Sequence, residues 1–268
     1  MKIISLISAV DQNIIRMTEG MHLETDAVVV NQCDTEGDKT FSVCGNTVRQ
    51  IDMRQRGVGL SRNTCIESAP SCDIFLFTDE DIVYDEGYAG LIEAGYNAHP
   101  EADALLFNVR VCEARRTYWN EDYRRVRFYN YGRYPAYSIS IRADRLKTSG
   151  VRFPLEFGGG AEYINGEDSV FLHDLLKAGI RIYRTPVCIG EETERESTWF
   201  KGYDERFFIS RGALYVRLYG ANAVPRALLF LIRHRYMYAE LGFGASFRLM
   251  RQGMREMRGR MKSGERTV

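Results

Sequence analysis

The sequence predicts an α/β protein with a mainly parallel sheet flanked by helices. Short runs rich in Ile, Leu, Val and Phe, of the length of buried strands, alternate along the chain with longer mixed segments of helical length. The first two runs, residues 2–9 and 26–31, are separated by an apolar/polar stretch from 12 to 23 that suits a crossover helix, giving the βαβ unit of a parallel sheet. With 268 residues, 45% of them hydrophobic and 27% charged, the chain has an ordinary globular composition and length for one sizeable domain or two small ones.

The remaining elements follow in order. Residues 41–53 contain another β-rich piece, leading into Arg54-Gln-Arg-Gly-Val-Gly-Leu-Ser-Arg-Asn63, a glycine-containing loop that opens a helix ending about residue 69. Asp73-Ile-Phe-Leu-Phe-Thr78 is a strand that ends abruptly in three acids, Asp79, Glu80 and Asp81. A helix over 87–99 and a strand over 102–110 come next, then a Tyr/Arg-dense stretch, 112–137, read as loops and short strands. The clearest helix covers 166–178: Phe171, Leu172, Leu175 and Leu176 make one apolar face, Lys177 sits in the last turn and Gly179 stops it. Residues 180–186 form a strand. Near Gly220 the composition turns basic and helical, dividing the chain into a domain of residues 1–220 and a basic helical tail of 221–268.

A formal net charge of zero hides an asymmetry. Residues 225–268 hold ten Arg/Lys against three acids, about +7, so the first 224 carry about −7. The six cysteines include no CxxC pair and the four histidines no H-E-x-x-H spacing, which removes zinc and thioredoxin-like readings. The N-terminal apolar run is too short for a signal peptide, and the longest late one, six residues from Ala227 to Ile232, is far below a membrane span. A cytoplasmic location is expected.

Three clusters can carry chemistry. Asp79 and Asp81, delivered by an apolar strand to the sheet edge where α/β proteins bind ligands, can hold a hard divalent cation together with a diphosphate; the alternative is a solvated acidic turn. Arg62 and Asn63, behind Gly57 and Gly59 at a helix start, suit an anion, or Ser61 is simply an N-cap and Arg62 a solvent-facing side chain. Glu167 and Asp168 open the clearest helix, where a carboxylate can act as general base or merely favour the helix start. The Gly158–Gly160 glycines, in Phe157-Gly-Gly-Gly-Ala161, either admit a substrate to the backbone or form a plain loop.

In this order the pieces resemble the family 2 glycosyltransferases of bacterial polysaccharide synthesis, which have the GT-A fold. The matching segments are residues 3–8, Val28-Val-Val-Asn-Gln-Cys33, Arg56-Gly-Val-Gly-Leu-Ser-Arg-Asn63, Phe77-Thr-Asp-Glu-Asp81, Gly166-Glu-Asp168 and Glu196-Ser-Thr-Trp-Phe200, spanning residues 1–215. The resemblance implies a metal-dependent, inverting glycosyltransferase using a nucleotide-sugar donor, a UDP-sugar foremost, with Mn2+ or Mg2+. It makes Asp79 and Asp81 the metal pair, Glu80 the variable residue between them, and Arg62 and Asn63 donor-binding residues. Asp168 becomes the catalytic base, Glu167 a helper carboxylate, and Ser8, Ala9, Asn31 and Gln32 the lining of the nucleobase pocket. The acceptor it implies is a glycan or a lipid-linked one, in capsule, exopolysaccharide or O-antigen synthesis. Two departures stand out: the second strand ends in Asn31-Gln32 where the family commonly has an acidic pair, and the only histidine between Asp168 and Phe200 is His173, on a different helix face from Asp168. The metal shell is then completed by diphosphate and water, or by Ser197 or Thr198.

Residues 248–262 interleave arginines with Leu249, Met250, Met254, Met257 and Met261 at roughly helical spacing. This is an amphipathic helix on an anionic membrane surface, making the protein peripheral there, or a solvated helix packing its methionine face on the domain, or a frayed tail. The acidic body speaks against a nucleic-acid partner. A sugar nucleotidyltransferase would want a glycine-rich basic loop after the first strand, where this chain has Ala9-Val-Asp-Gln-Asn13; an inactive homologue serving as a binding subunit would not need both acidic motifs.

Overall fold

Seven of the eight residues of β1 (Ile3–Val10) are buried, as a strand paired on both sides and covered on both faces requires. After α1 (Ile14–Gly20), capped by the Asn13 side chain on the Arg16 amide, come β2 (Asp26–Gln32), β3 (Gly37–Val43) and β4 (Asn46–Met53). Then follow α2 (Val58–Ser68), β5 (Ile74–Asp79), β6 (Ile82–Tyr84), α3 (Tyr88–Ala98), β7 (Ala104–Arg110), β8 (Arg124–Arg125), β9 (Ile139–Arg142), α4 (Ala143–Ser149), α5 (Glu167–Lys177) and β10 (Ile182–Glu192). Three helices end the chain: α6 (Glu205–Tyr219), α7 (Ala223–Arg233) and α8 (Phe243–Ser263). The structure is a computed structural model describing residues 1–113, 115–193 and 202–263; the 196–200 segment with Ser197 and Thr198 lies outside the described residues.

The chain divides into two units: residues 1–56, 60–153 and 171–195 in the first, and 57–59, 154–170 and 196–268 in the second. Gly220 therefore falls inside the second unit, at the end of α6.

The first unit is built on one sheet, ordered β3-β4-β2-β1-β5-β9-β7-β10-β6 with β8 also on β10. β1, β2, β4 and β5 run parallel, and β9, antiparallel to both β5 and β7, restores the same direction to β7 and β10. The strand order reverses between β1 and β5, the switch point outside which open α/β sheets bind ligands. Apolar clusters cover both faces. One gathers Leu6, Val28, Phe77, Phe171 and Leu175, the other Ile7, Val29, Leu76, Ile92 and Phe107.

Three local outcomes differ from the sequence reading. The β-rich piece over 41–53 is half of a hairpin, β3 antiparallel to β4, turning on Cys44 and Gly45. Both have positive φ, 49° and 86°, the two-residue geometry that matches strand twist; cysteine is an unusual occupant and gave no turn signal. β9, only four residues long, had no pattern long enough to read. β10 runs on through Pro186, which ended the strand in the sequence reading, because the pairing with β7 shifts register between Arg184 and Cys188 and no ladder hydrogen bond is asked of the proline there.

The second unit is helical. Gly212 of α6 and Gly253 of α8 let the two backbones meet: a Cβ on Gly212 would lie 2.0 Å from the Met250 carbonyl oxygen, and one on Gly253 1.9 Å from that of Ile209. Met250, Met254 and Met257 are buried with Phe207, Phe208, Phe230 and Leu231. Met250, Met254 and Met257 of α8 are thus spent on packing within this unit, whereas Met261, one turn on, is 58% exposed.

Candidate functional site

The sheet brings most of the candidate residues of the first unit to one edge. Parallel registry sets Ser8 beside Asp79, Ala9 beside Asn31 and the end of β2 beside the end of β4. All are at C-terminal strand ends, where the loops leave the sheet. Asp79 is the last residue of β5, and the tight step into β6 carries Glu80 and Asp81.

The three acids have different surroundings. Asp79 Oδ1 accepts from Arg62 Nη2 at 2.8 Å, and the Arg62 side chain is only 4% exposed, its guanidinium 5.1 Å from the centre of the Phe153 ring. Arg62 is therefore not a solvent-facing side chain. Glu80 points back: its Oε2 accepts from the Val10 amide at 2.8 Å and fastens the end of β1. Asp81 receives the Thr193 amide on its carbonyl oxygen at 2.8 Å, and the antiparallel β6–β10 pairing sets Glu192 opposite Ile82, the next residue.

That pairing has an electrostatic consequence. Burial, then the negative charges of Asp79 and Glu192, push the Asp81 carboxyl up to about 7, against a hydrogen bond from its own backbone and the charge of Arg115. Burial also raises Glu192, whose carboxylate meets Arg115 Nη2 at 2.8 Å and is 7% exposed on its side chain. The step after β5 therefore holds more negative charge than the nearby arginines neutralise.

The nucleobase-side candidates are buried and mutually bonded. Asn31 Oδ1 accepts from the Gln12 amide (3.1 Å), and its Nδ2 donates to Asp52 Oδ1 (3.0 Å), which also receives Gln50 Nε2 (2.7 Å). Gln32 Nε2 reaches Ser8 Oγ at 3.4 Å. The carboxylate missing from the end of β2 is thus present next door, on β4. Arg56 Nη1 donates to the Gln32 carbonyl (2.7 Å) and to Asp11 Oδ2 (3.0 Å), with Asp11 at a left-handed φ of 51°. Asn63 is occupied otherwise: its side-chain amide donates to the Phe153 carbonyl (2.9 Å) and accepts from the Phe153 amide (2.8 Å), clamping the segment after α4 to α2.

Sequence reasoning missed Asp52, Arg56, Arg115 and Glu192 as members of this edge. Glu192 had a signal, the acidic stretch 191–194 straight after a strand. Asp52 had none, because only the register of β4 on β2 reveals it.

In the second unit, Glu167 and Asp168 occupy the first turn of α5, half-buried. The glycine loop before them is built for contact: Gly158 has φ +105°, and a Cβ there would lie 2.8 Å from the Glu167 carboxyl carbon and 2.6 Å from Val58 Cγ1. Gly166, at φ +112°, abuts Leu214. Both positions are closed to larger residues by backbone conformation and by space.

Among the described residues, no three His, Cys, Asp or Glu side chains form a group that could hold a metal ion. Asp79 and Asp81 nonetheless fit a hard dication in donor type, and the gathering of Asp79, Glu80, Asp81 and Glu192 about two arginines, Arg62 and Arg115, fits it in sign. Two carboxylates suffice where a diphosphate and water supply the remaining ligands.

No protein-family model and no curated protein matches the chain. Solved structures do. S. aureus TarS 1-349 in complex with UDP-GlcNAc superposes with TM-score 0.60 at 18% identity over 90% of this chain and 74% of that one. S. aureus TarS 1-349 in a second crystal structure gives TM-score 0.59 at 15% identity, over 100% and 93%. S. aureus TarS gives 0.57 at 17%, over 90% and 44%. At such identities the likeness establishes the fold alone: an α/β, GT-A-type sheet, mainly parallel and flanked by helices, with a C-terminal helix.

Proposed function

We propose that the chain transfers a sugar from a nucleoside-diphosphate donor, a UDP-sugar in the first instance, to a hydroxyl of a glycan or lipid-linked acceptor in surface-polysaccharide synthesis. The observation that carries this reading is the placement of Asp79-Glu80-Asp81 beside the switch point of a GT-A-type sheet, with charge left over for a cation and its diphosphate.

Asp79 and Asp81 would hold Mn2+ or Mg2+ there. A cation so held supplies neutralisation of the charge that develops on the departing diphosphate. Arg62 fixes the Asp79 carboxylate through its ion pair, and its own orientation is fixed by Phe153. Glu80 anchors the end of β1, so that Ser8 and Ala9 keep their places beside Asp79 and Asn31. Asn31 and Gln32, bonded to Gln12, Asp52 and Ser8, would form the floor of a base pocket by fixing the ends of β1, β2 and β4.

Asp168 takes the proton from the attacking acceptor hydroxyl, and Glu167 orients the acceptor or assists. Attack on the anomeric carbon from the side opposite the diphosphate forms the new C–O bond as the bond to the diphosphate breaks, inverting the centre. The proton ends on Asp168 and the electron pair on the diphosphate.

A thermal-shift series with UDP, GDP and TDP, each with and without manganese, tests the donor half. UDP with manganese is expected to raise Tm most, and Asp81→Ala to abolish the manganese-dependent part. If no nucleoside diphosphate moves Tm in either condition, the reading fails.

A further inference from the structure

Helix α7 has two faces that are used differently. Ala223, Ala227, Phe230 and Leu231 are buried in the core of the second unit. The opposite sector, at i, i+3, i+6 and i+7, presents Arg226, Leu229, Ile232 and Arg233 outward, with Leu229 38% and Ile232 56% exposed. Directly after the helix, Arg235 and Tyr236 are exposed as well, Tyr236 by 64%. Apolar side chains at this spacing normally face a core; here a second apolar row faces outward on a helix whose core row is already satisfied.

The charge around that row says what it suits. From residue 206 to 239 there are six arginines and no Asp or Glu, the first carboxylate beyond being Glu240. A protein partner or a second copy would need carboxylates of its own against this stretch, and this stretch has none to offer in an isologous contact. An anionic lipid surface supplies both halves, phosphates for the arginines and acyl chains for Leu229, Ile232 and Tyr236. Among the described residues no helix is long and apolar enough to cross a membrane, so the contact is lateral.

We infer that the outward face of α7, continued by Arg235 and Tyr236, is a docking surface for an anionic lipid bilayer. Met250, Met254 and Met257 of α8 are not part of this surface, since they are buried. The inference is independent of sugar transfer, because partitioning requires no turnover.

The test is co-sedimentation of the full chain with vesicles of phosphatidylglycerol and phosphatidylcholine, against phosphatidylcholine alone. Binding is expected only to the anionic vesicles and to weaken as salt rises. Arg226→Gln with Arg233→Gln should lower partitioning about 30-fold, about fivefold for each arginine. The pair Arg251→Gln and Arg258→Gln, exposed positions on α8, removes the same charge and should change it far less. Leu229→Gln with Ile232→Gln, at exposed positions, should also lower partitioning, with circular dichroism confirming the fold. Tyr236→Trp supplies a second readout: its emission should shift to the blue on adding anionic vesicles. Equal effects of the α7 and α8 arginine pairs, no blue shift, or a dimer in sedimentation velocity that Leu229→Gln with Ile232→Gln dissolves would each overturn the inference.

Discussion

Arg62 and Asp79 form a near-buried ion pair at the end of β5, Nη2 to Oδ1 at 2.8 Å, with the guanidinium lying over Phe153. A carboxylate at a proposed metal position is thereby held in one orientation before any ligand arrives, by a side chain that is itself packed in place. Arg62→Ala should cost about 2 kcal/mol, the range for a lost hydrogen bond to a charged group, read by chemical denaturation. Arg62→Lys should recover part of it, since it keeps the charge but not the planar fork. An Arg62→Ala protein as stable as wild type would remove the pair from the argument.

Asp81 gives the pH dependence its sign. Its carboxyl is raised from 3.8 to about 7 in the folded protein, so between those values the native state holds more protons than the unfolded one. Its contribution to stability is complete below about pH 4 and is lost as pH rises toward 7. Asp81→Asn should flatten the fall in stability over that window and leave the protein more stable than wild type at pH 8. Manganese should stabilise wild type at pH 8 and do less for the variant. Equal pH profiles for the two proteins in urea melts would contradict this.

The strands that place these residues were legible because their cause is local. The apolar runs in β1, β2, β5 and β7 and the apolar face of α5 announce themselves in sequence, as do the acids that end β5. The partners of the site were legible only in part, because they arrive by register. Asp52 meets Asn31 through the β2–β4 ladder, and Glu192 comes beside Asp81 through β6 and β10. Asn63 shows the converse: a position read as donor-binding has both amide groups committed to Phe153, a contact 90 residues distant that no spacing rule reveals.

The close approach of α6 and α8 makes a sharp claim about one residue. Gly253→Ala drives a methyl group into the Ile209 carbonyl, and neither backbone can yield without moving a helix. A loss of about 1–3 kcal/mol or more is expected. Gly259→Ala, in the same helix with nothing within 4 Å of the added carbon, should be neutral or stabilising by up to about 1 kcal/mol through helix propensity. Thermal melts of the two variants side by side decide it; indistinguishable melts would remove the packing claim.

Asp168→Asn separates binding from chemistry. The amide keeps the size of the side chain and the helix start, but cannot accept the acceptor's proton. Donor affinity by calorimetry should stay within about twofold of wild type, while kcat falls about 100- to 10,000-fold, the usual worth of a general base. A variant that transfers sugar at the wild-type rate would take Asp168 out of the reaction.

The most direct measurement is nucleoside-diphosphate release from a panel of UDP-, GDP- and TDP-sugars, with manganese or with chelator. Release from one donor class is expected, dependent on the metal, faster with acceptor glycan, and absent in Asp81→Ala. Folded wild-type protein that releases no diphosphate from any donor, with metal and acceptor present, would contradict the assignment of sugar transfer to this chain.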